Sequence, residues 1–374
     1  MIPTRLHGAI DYGAAALLGG LATSSNLPPP VRRALGTASL YHTSYAVQTD
    51  YEAGLAPHVT MRQHLALDVL GGVALCGAGL LMRRQPAGAR ALLLAFGLSE
   101  LAVAALSSAK PVSGPGSGGG LAERMLGSTS STEAGYPPLD IPKPVADDVL
   151  IVDSVMPGLA GKVLPVRMTV MRLPDGGLLL HSPTCYSIPL KQALERIGPI
   201  RHLVAPNIAH WIFLQDWQRA CPDATTWAAP GLRERSQVRA SGVRLDHDLS
   251  EAAPAEWGGG VGVTIVPGGL GFHEAALFHR PTRTLVLTDL VLNLESGKLP
   301  AALRPLARLL GVTAPGGMAA PQLRGIVKLD RAEARRSASR LLKLEPEQVI
   351  FAHGRWFDRD GTAALRRSLR WLLD

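Results

Sequence analysis

Two short stretches decide the fold class of this chain: Thr284-Leu285-Val286-Leu287-Thr288-Asp289 and, further along, Val349-Ile350-Phe351-Ala352-His353-Gly354. Each is an apolar run of strand length that ends abruptly in a side chain able to bind a metal ion. Each run therefore predicts a buried strand that places a metal-binding side chain at its end.

The chain around these runs, from about residue 145 to residue 374, alternates short apolar segments with Gly and Pro. Its first strands come in hairpins, with Pro174-Asp-Gly-Gly177 as a turn signal, and later strands alternate with helices. This pattern predicts an α/β domain in which a mixed sheet or a pair of sheets is covered by helices. The predicted strands are 149–153, 168–173, 178–181, 200–205, 225–228, 261–266 and 275–279, followed by those that end at Asp289 and His353; the predicted helices are 189–197, 211–220, 330–344 and one from 362.

The order of these motifs resembles the metallo-β-lactamase fold, an αββα sandwich, and more closely an uncharacterised family on that fold, a domain of unknown function. The stretches that carry the resemblance are Met168–Leu173, His181-Ser-Pro183, His202–His210, Ala229–Leu232, Phe278–Asp289 and Ala352-His-Gly354. In working hydrolases of that fold, His and Asp side chains at strand ends hold one or two metal ions. The resemblance implies that Asp289 takes the position that bridges two metals and that His353 takes the last His position.

The first metal motif of such a fold, His-x-His-x-Asp-His, is absent. If Asn207 stands at its first position, the other three ligand positions hold Ala209, Trp211 and Ile212. His210 is out of register by one residue, so a dinuclear site is not expected.

A mononuclear site made of His210, Asp289 and His353 remains a candidate, with His181, Glu274 or His279 as a fourth ligand. Three protein ligands plus water suit a catalytic ion, zinc or iron. The alternative is a domain without metal, in which Asn207 caps a helix and His353 is a buried structural histidine.

The first part of the chain repeats itself. Arg5-x-His7-x-x-x-Asp11 recurs as Arg62-x-His64-x-x-x-Asp68, and each motif precedes an apolar, Gly- and Ala-rich run. The four apolar runs 8–24, 34–47, 66–82 and 91–107 lack a charged face, which predicts a four-helix, all-α transmembrane bundle over residues 1–108. This part resembles small bacterial membrane proteins built from a duplicated two-helix unit, named for a Ser-Pro-Trp repeat. The matching residues are His7-Gly-x-x-Asp11-Tyr12, Thr49-Asp-Tyr-Glu52 and His64-Leu-x-Leu-Asp68.

The polar pairs of the repeat, His7 with Asp11 and His64 with Asp68, share a helix face because they are four residues apart. Ionisable groups at membrane depth suggest a proton relay. The favoured interpretation is that they lie at the helix ends, pair with each other and with an arginine, and fix helix packing.

Residues 109–144 are rich in Gly and Ser and predict a flexible linker. The net charge of +8 accompanies no basic stretch interleaved with aromatic residues, so nucleic acid is not an expected partner. The three cysteines follow no metal or disulfide spacing.

Together these features predict a multi-pass protein of the cell membrane whose C-terminal domain is metallo-β-lactamase-like. Its expected function is that of a degenerate or mononuclear metal-dependent hydrolase. The alternatives are a non-catalytic binding or sensor domain tethered to the membrane, and a membrane protein that conducts protons or a small solute. The lipid bilayer and an unidentified small molecule are the expected partners, and the basic residues do not decide on which side of the membrane the C-terminal domain lies.

Overall fold

The computed structural model describes residues 2, 4–49, 59–107, 135–157, 163–299 and 304–374. The chain divides into two compact units, Met1–Gly118 and Gly119–Asp374. Most of the predicted linker, and the Asp-Tyr-Glu part of the motif that begins at Thr49, lie outside the described residues.

The N-terminal unit contains four described helices: α1 (Thr4–Ala22), α2 (Pro29–Gln48), α3 (Met61–Leu81) and α4 (Ala87–Leu106). Prolines stand at the start of α2, and the Thr60 hydroxyl caps α3 by accepting from the backbone N–H of Gln63. Helices α3 and α4 approach closely because glycines face each other; a Cβ on Gly72 would lie 2.8 Å from the carbonyl oxygen of Gly97. The predicted helices are therefore present.

Two of these helices, α3 and α4, are long and apolar enough to cross a membrane, each with a mean hydropathy of 1.7. The apolar part of α1 is shorter, Ile10–Ala22. Of the four spans predicted from sequence, two therefore meet the length and hydropathy that a bilayer requires within the described residues.

The C-terminal unit is built on two main sheets. The first has seven strands in the order β1 to β7, antiparallel from β1 to β4 and parallel from β4 to β7. Its strands are Lys143–Ala146, Val149–Pro157, Val163–Arg172, Leu178–His181, Ile200–Ala205, Thr225–Ala228 and His247–Asp248.

The second sheet is built from β8 (Val261–Pro267), β9 (His273–His279), β10 (Thr284–Val286) and β12 (Gln348–Ile350). Its strand order is β12-β10-β9-β8, with β10 and β12 parallel. Two further short strands, β11 (Leu292–Asn293) and β13 (His353–Gly354), pair in parallel as a separate two-stranded sheet.

The described part of this unit contains seven α-helices, some of which lie on the outer faces of the two sheets. They are α5 (Ile188–Glu195), α6 (Leu214–Ala220), α7 (Ser236–Ser241), α8 (Arg304–Leu309), α9 (Pro321–Lys328), α10 (Arg331–Lys343) and α11 (Gly361–Leu373). Trp227 of β6 lies in the core between the sheets, whereas its neighbour Thr226 points outward and accepts from Gln218 of α6. On the other side, the Ser337 hydroxyl of α10 donates to the carbonyl of Ile265 in β8.

The core between the sheets contains Ile151, Leu179 and Val204 from the first sheet and Leu277 and Ile350 from the second. The architecture is therefore a mixed α/β sandwich with the predicted αββα layers. Two details differ from the prediction. Helix α6 begins at Leu214 rather than Trp211, and β10 and β12 end before Asp289 and His353, which stand just beyond them.

Candidate metal site

His210, Asp289 and His353 meet at one edge of the sandwich. One side-chain ligand atom from each lies within 4.8 Å of the others. The Nε2 atoms of His210 and His353 are each 3.4 Å from Oδ1 of Asp289. Parallel pairing of β10 with β12 brings Asp289 and His353 to the same edge, and His210 arrives on the loop that follows β5 of the facing sheet.

The cluster is open to solvent on one side. The side chains of Asp289 and His353 keep 20% and 18% of their surface exposed, and that of His210 keeps 8%. A small molecule or water can therefore reach the three ligand atoms, as a catalytic metal site requires.

Each imidazole is oriented through its other nitrogen. Nδ1 of His353 lies 2.9 Å from the carbonyl oxygen of Pro165 and must donate to it, because a carbonyl only accepts. Nδ1 of His210 lies 2.7 Å from Oγ of Ser182. Both Nε2 atoms therefore face Asp289, an arrangement that is common for metal-binding histidines.

Ser182 is a buried positioning residue that the sequence did not reveal. Its φ of 56° lies in the left-handed region that non-glycine residues avoid, and its backbone N–H donates to the carbonyl of Val204. With 1% of its surface exposed, the hydroxyl cannot reach a substrate as a nucleophile. Its contact with His210 therefore serves to orient that ring.

Asn207, the residue at the predicted first His position, does two things. Its Oδ1 accepts from the backbone N–H groups of Ala209 and His210, which shapes the turn that carries His210. Its Nδ2 donates to Oδ2 of Asp289 at 2.7 Å and to the hydroxyl of Thr288 at 3.1 Å. The capping role expected in the metal-free alternative is present, but it precedes a turn rather than a helix.

Glu274 is fully buried beneath the loop that carries Asp289. Its carboxylate accepts hydrogen bonds from the backbone N–H groups of Thr288, Asp289 and Leu290. Burial, and then the nearby Asp289 carboxylate, raise the pKa of Glu274. Since both carboxylate oxygens are used by the backbone, Glu274 holds the Asp289 loop in place and lies outside the ligand cluster.

The electrostatics of the cluster favour an ionised aspartate. Burial raises the pKa of Asp289, but the imidazoles of His210 and His353 act against it and hold that pKa well below its ordinary value. For His353, burial alone would lower the pKa. The contact with the Asp289 carboxylate outweighs burial, so the pKa of His353 is raised.

The other two histidines considered as a fourth ligand do not join the cluster. His279 pairs with Thr284 at the opposite end of β10 from Asp289, and its Nδ1 contacts the Thr282 hydroxyl. His181 ends β4 and is fully buried; burial, assisted by His210, lowers its pKa to about 3. Among the described residues, the ligand group contains three members, not four.

Arg167 of β3 supports the His353 loop and was not predicted. Its guanidinium donates to the carbonyl oxygens of Phe351 and Gly354, both at 2.9 Å. It also forms a buried ion pair with Asp153 at 2.6 Å, and Lys143 binds the same carboxylate. His353 is therefore fixed from both sides, by Pro165 through its ring and by Arg167 through its backbone.

Comparison with known proteins matches residues 151–314 to the family model described as Domain of unknown function (DUF4336). The matched segment includes Asn207, His210 and Asp289 and ends before His353. No curated protein matches the chain in sequence.

Solved structures with a similar backbone are metallo-β-lactamases. The enzyme from Pontibacter korlensis is 15% identical, with a TM-score of 0.43, and the match covers 62% of this chain and 98% of that one. The enzyme FIM-1 from Pseudomonas aeruginosa in its mono-zinc form is 12% identical, with a TM-score of 0.43, covering 62% and 93%. The enzyme from Hirschia baltica is 12% identical, with a TM-score of 0.43, covering 62% and 96%.

The residues present fit one metal ion better than two. Two imidazole nitrogens and one carboxylate oxygen form a donor set suited to zinc or iron. Oδ2 of Asp289 accepts from the Asn207 amide, and Oδ1 is the oxygen that faces both Nε2 atoms, so one carboxylate oxygen points at the two imidazoles. Ala209, Trp211 and Ile212 supply no further metal ligands.

Proposed function

We propose that the C-terminal unit is a metallo-β-lactamase-like domain that binds one zinc or iron ion through His210, Asp289 and His353 and acts as a mononuclear hydrolase. The observation that carries the proposal is the convergence of the three ligand atoms within 4.8 Å at a solvent-facing edge, with both Nδ1 atoms engaged behind the site. A bound ion of this kind makes hydroxide available at neutral pH by lowering the pKa of its water.

The residues of the chain supply the rest of the site. The Asn207 amide and the ring of His210 fix the two oxygens of Asp289, and Glu274 fixes the backbone behind it. Pre-positioned ligands of this kind lose little freedom when they bind. The 20% exposure of Asp289 leaves one direction from which a substrate can approach.

Metal content of the purified full-length protein tests the proposal. The parent is expected to hold one equivalent of zinc or iron more than Asp289→Asn or His353→Ala. His279→Ala is the matched control, because that histidine lies at the other end of the strands, and it should keep the metal. A parent protein whose metal content equals that of both variants would rule the proposal out.

A second candidate is a non-catalytic binding or sensor domain. The observation in its favour is that the Asn207 amide already donates to Oδ2 of Asp289 at 2.7 Å, so this carboxylate has a partner without any ion. It predicts a folded protein that does not hydrolyse ester, lactam or phosphodiester substrates even when zinc is supplied. Metal-dependent turnover of any of these that disappears in His353→Ala would exclude it.

We further propose that the N-terminal unit places the protein in a lipid bilayer as a multi-pass segment. Only 33% of the apolar window of α3 and 28% of that of α4 is buried, unlike the core helices of a soluble protein. Large apolar side chains remain exposed on α3, namely Val69, Leu70, Val73, Leu80 and Leu81. Retention of the full-length protein in membranes washed with alkaline carbonate is expected, and release into the supernatant would contradict it.

A further inference from the structure

The N-terminal unit contains a second cluster of ligand-type side chains, distinct from the one above. His7, Asp11, His64 and Asp68 are all buried, with at most 2% of their surface exposed, and one ligand atom from each lies within 4.8 Å of the others. The two histidine Nε2 atoms are 2.8 Å apart. Nε2 of His7 lies 3.0 Å from Oδ2 of Asp68, and Nε2 of His64 lies 3.0 Å from Oδ2 of Asp11.

Hydrogen bonds behind the cluster determine which ring nitrogens carry protons. The Ser107 hydroxyl donates to the carbonyl of Val103, so it can only accept from Nδ1 of His7, at 2.7 Å. The Thr49 hydroxyl donates to the carbonyl of Tyr45 and is 2.6 Å from Nδ1 of His64. Each Nδ1 therefore carries a hydrogen, and in a neutral ring the lone pair is on Nε2.

Nε2 of His7 and Oδ2 of Asp68 are then two acceptors that face each other at 3.0 Å. Oδ2 of Asp68 is buried and makes no hydrogen bond in the described part of the chain. Burying such a pair away from solvent is costly, and a metal ion placed between the two atoms would bind both.

The spacing suits a metal ion. Four ligands around zinc at about 2.05 Å stand roughly 3.3 Å from one another in a tetrahedron. The contacts between Nε2 atoms and the two Oδ2 atoms of the cluster range from 3.0 to 3.5 Å, and the two Nε2 atoms are 2.8 Å apart. Histidines that bind metal commonly donate their other nitrogen to an oxygen, as Ser107 and Thr49 accept here.

The cluster is also formed equally by the two halves of the repeat. His7 and Asp11 come from α1, and His64 and Asp68 come from the corresponding turn of α3. Each histidine contacts a hydroxyl that lies just after another helix: Ser107, after α4, accepts from His7 of α1, and Thr49, after α2, accepts from His64 of α3. A ligand held here would therefore join both helix hairpins, at the bundle end where α1 and α3 begin.

We propose that His7, Asp11, His64 and Asp68 form a closed, tetrahedral site for a divalent transition-metal ion such as zinc, which ties the two repeats together. Four protein ligands and complete burial leave no position for water or substrate, so the site is structural rather than catalytic. Tyr45, which donates to Oδ1 of Asp68 at 2.6 Å, and His42, 3.4 Å from Oδ1 of Asp11, hold the outer carboxylate oxygens.

The test uses the full-length protein in detergent, carrying Asp289→Asn and His353→Ala so that the C-terminal cluster is removed. After treatment with chelator, Co²⁺ is titrated in and the visible spectrum is followed. One bound Co²⁺ per chain with the intense bands of tetrahedral coordination is expected, and adding His7→Gln and His64→Gln should abolish them. Tyr41→Phe, which removes only a contact with the Leu67 carbonyl, is the matched control and should leave the spectrum unchanged.

X-ray absorption of Zn²⁺ bound to the protein with the C-terminal cluster removed gives an answer that does not depend on folding of the histidine variants. Two imidazoles and two oxygen ligands are expected. No bound ion, sulfur ligation, or Co²⁺ binding that survives loss of both histidines would each overturn the proposal. Because the C-terminal ligands are absent from this protein, neither result depends on the proposed hydrolase site.

Discussion

Replacing Arg167 with methionine should destabilise the C-terminal unit by about 3–5 kcal/mol. The side chain is buried, with 3% of its surface exposed, and its partner Asp153 is equally buried. Methionine keeps the apolar stem but removes the ion pair with Asp153 and both hydrogen bonds to the His353 loop.

The magnitude follows from what is left behind. Breaking a buried ion pair by removing one partner costs about 3–5 kcal/mol, and each carbonyl left without a donor adds about 1–3 kcal/mol if water cannot enter. Lys143 still neutralises Asp153, which offsets part of the first term. We therefore expect a loss within the range given for the ion pair alone.

Urea unfolding followed by tryptophan fluorescence measures this loss in the full chain. All six tryptophans lie in the C-terminal unit, so the signal reports on that unit even though the whole chain is not a single cooperative system. Arg172→Met is the matched control on the same strand, because its pairing with Asp148 is long, 4.0 Å, and half exposed. That control should cost less than about 1 kcal/mol. An Arg167→Met effect no larger than the control would refute the structural role assigned to Arg167.

Three further predictions concern the loops and buried histidines of the same unit. Gly354→Ala should lower the free energy of unfolding by about 3 kcal/mol or more, because the φ of Gly354 is 94° and a Cβ there would lie 2.3 Å from the Asn293 carbonyl oxygen. Gly176 has a φ of 81° but open space around it, so Gly176→Ala should lower the free energy of unfolding by only about 1–2 kcal/mol in the same urea assay. Ser182→Ala and Ser182→Gly should both weaken metal binding about 10–100-fold, measured by metal titration, because both lose the contact with His210. The glycine variant should be more stable than the alanine variant by about 1 kcal/mol, because the φ of residue 182 is 56°. Equal stability of the two variants would argue against backbone strain at this residue. Burial lowers the pKa of His202 below 6.5, and Trp227 donates a hydrogen bond to its Nδ1. The unfolded chain therefore binds a proton more readily than the folded chain, and the free energy of unfolding falls as the pH drops below 6.5. The variant His202→Gln should flatten this pH dependence, by at most about 1.4 kcal/mol per pH unit, and an unchanged pH profile would contradict the prediction.

The sequence predicted those features that depend on local pattern. Apolar runs ending in Asp289 and His353 predicted two strand ends, and parallel pairing of β10 with β12 explains why the two side chains meet. The register of His210 could not be read from the motif, because its position depends on the turn that Asn207 forms with the backbone of Ala209 and His210.

Supporting residues were missed because their contacts are distant in sequence. Arg167 reaches Phe351 across 184 residues, and Glu274 reaches the Asp289 backbone across a hairpin. Nothing in the local pattern of a single sequence distinguishes Arg167 from the exposed Arg172. The short strand β7 and the short helices α7 to α9 were likewise unpredicted, since their few residues carry little periodicity.

In the N-terminal unit the local pattern did not reveal which side chains the polar pairs contact. The i, i+4 spacing predicts that His7 with Asp11 and His64 with Asp68 share a helix face, and in the structure each His Nε2 lies 3.4–3.5 Å from the Asp of its own pair. Each pair was expected to be satisfied within itself and by an arginine, whereas the structure brings the two pairs into direct contact. That contact depends on how the two hairpins pack, which the repeat suggested only through its symmetry.

The two ligand clusters of this chain have similar side chains but opposite surroundings, and the surroundings determine what each can do. At the C-terminal cluster three ligands stand at a sheet edge with about a fifth of Asp289 exposed, so a bound ion would keep a position open for water. At the N-terminal cluster four ligands are enclosed by helices, with exposures of 0–2%, and no position remains. Burial also explains why the enclosed cluster depends more on a bound cation: a carboxylate at the open edge can be hydrated, whereas the buried Oδ2 of Asp68 cannot. Removal of bound metal should therefore cost the N-terminal unit more stability than the C-terminal unit.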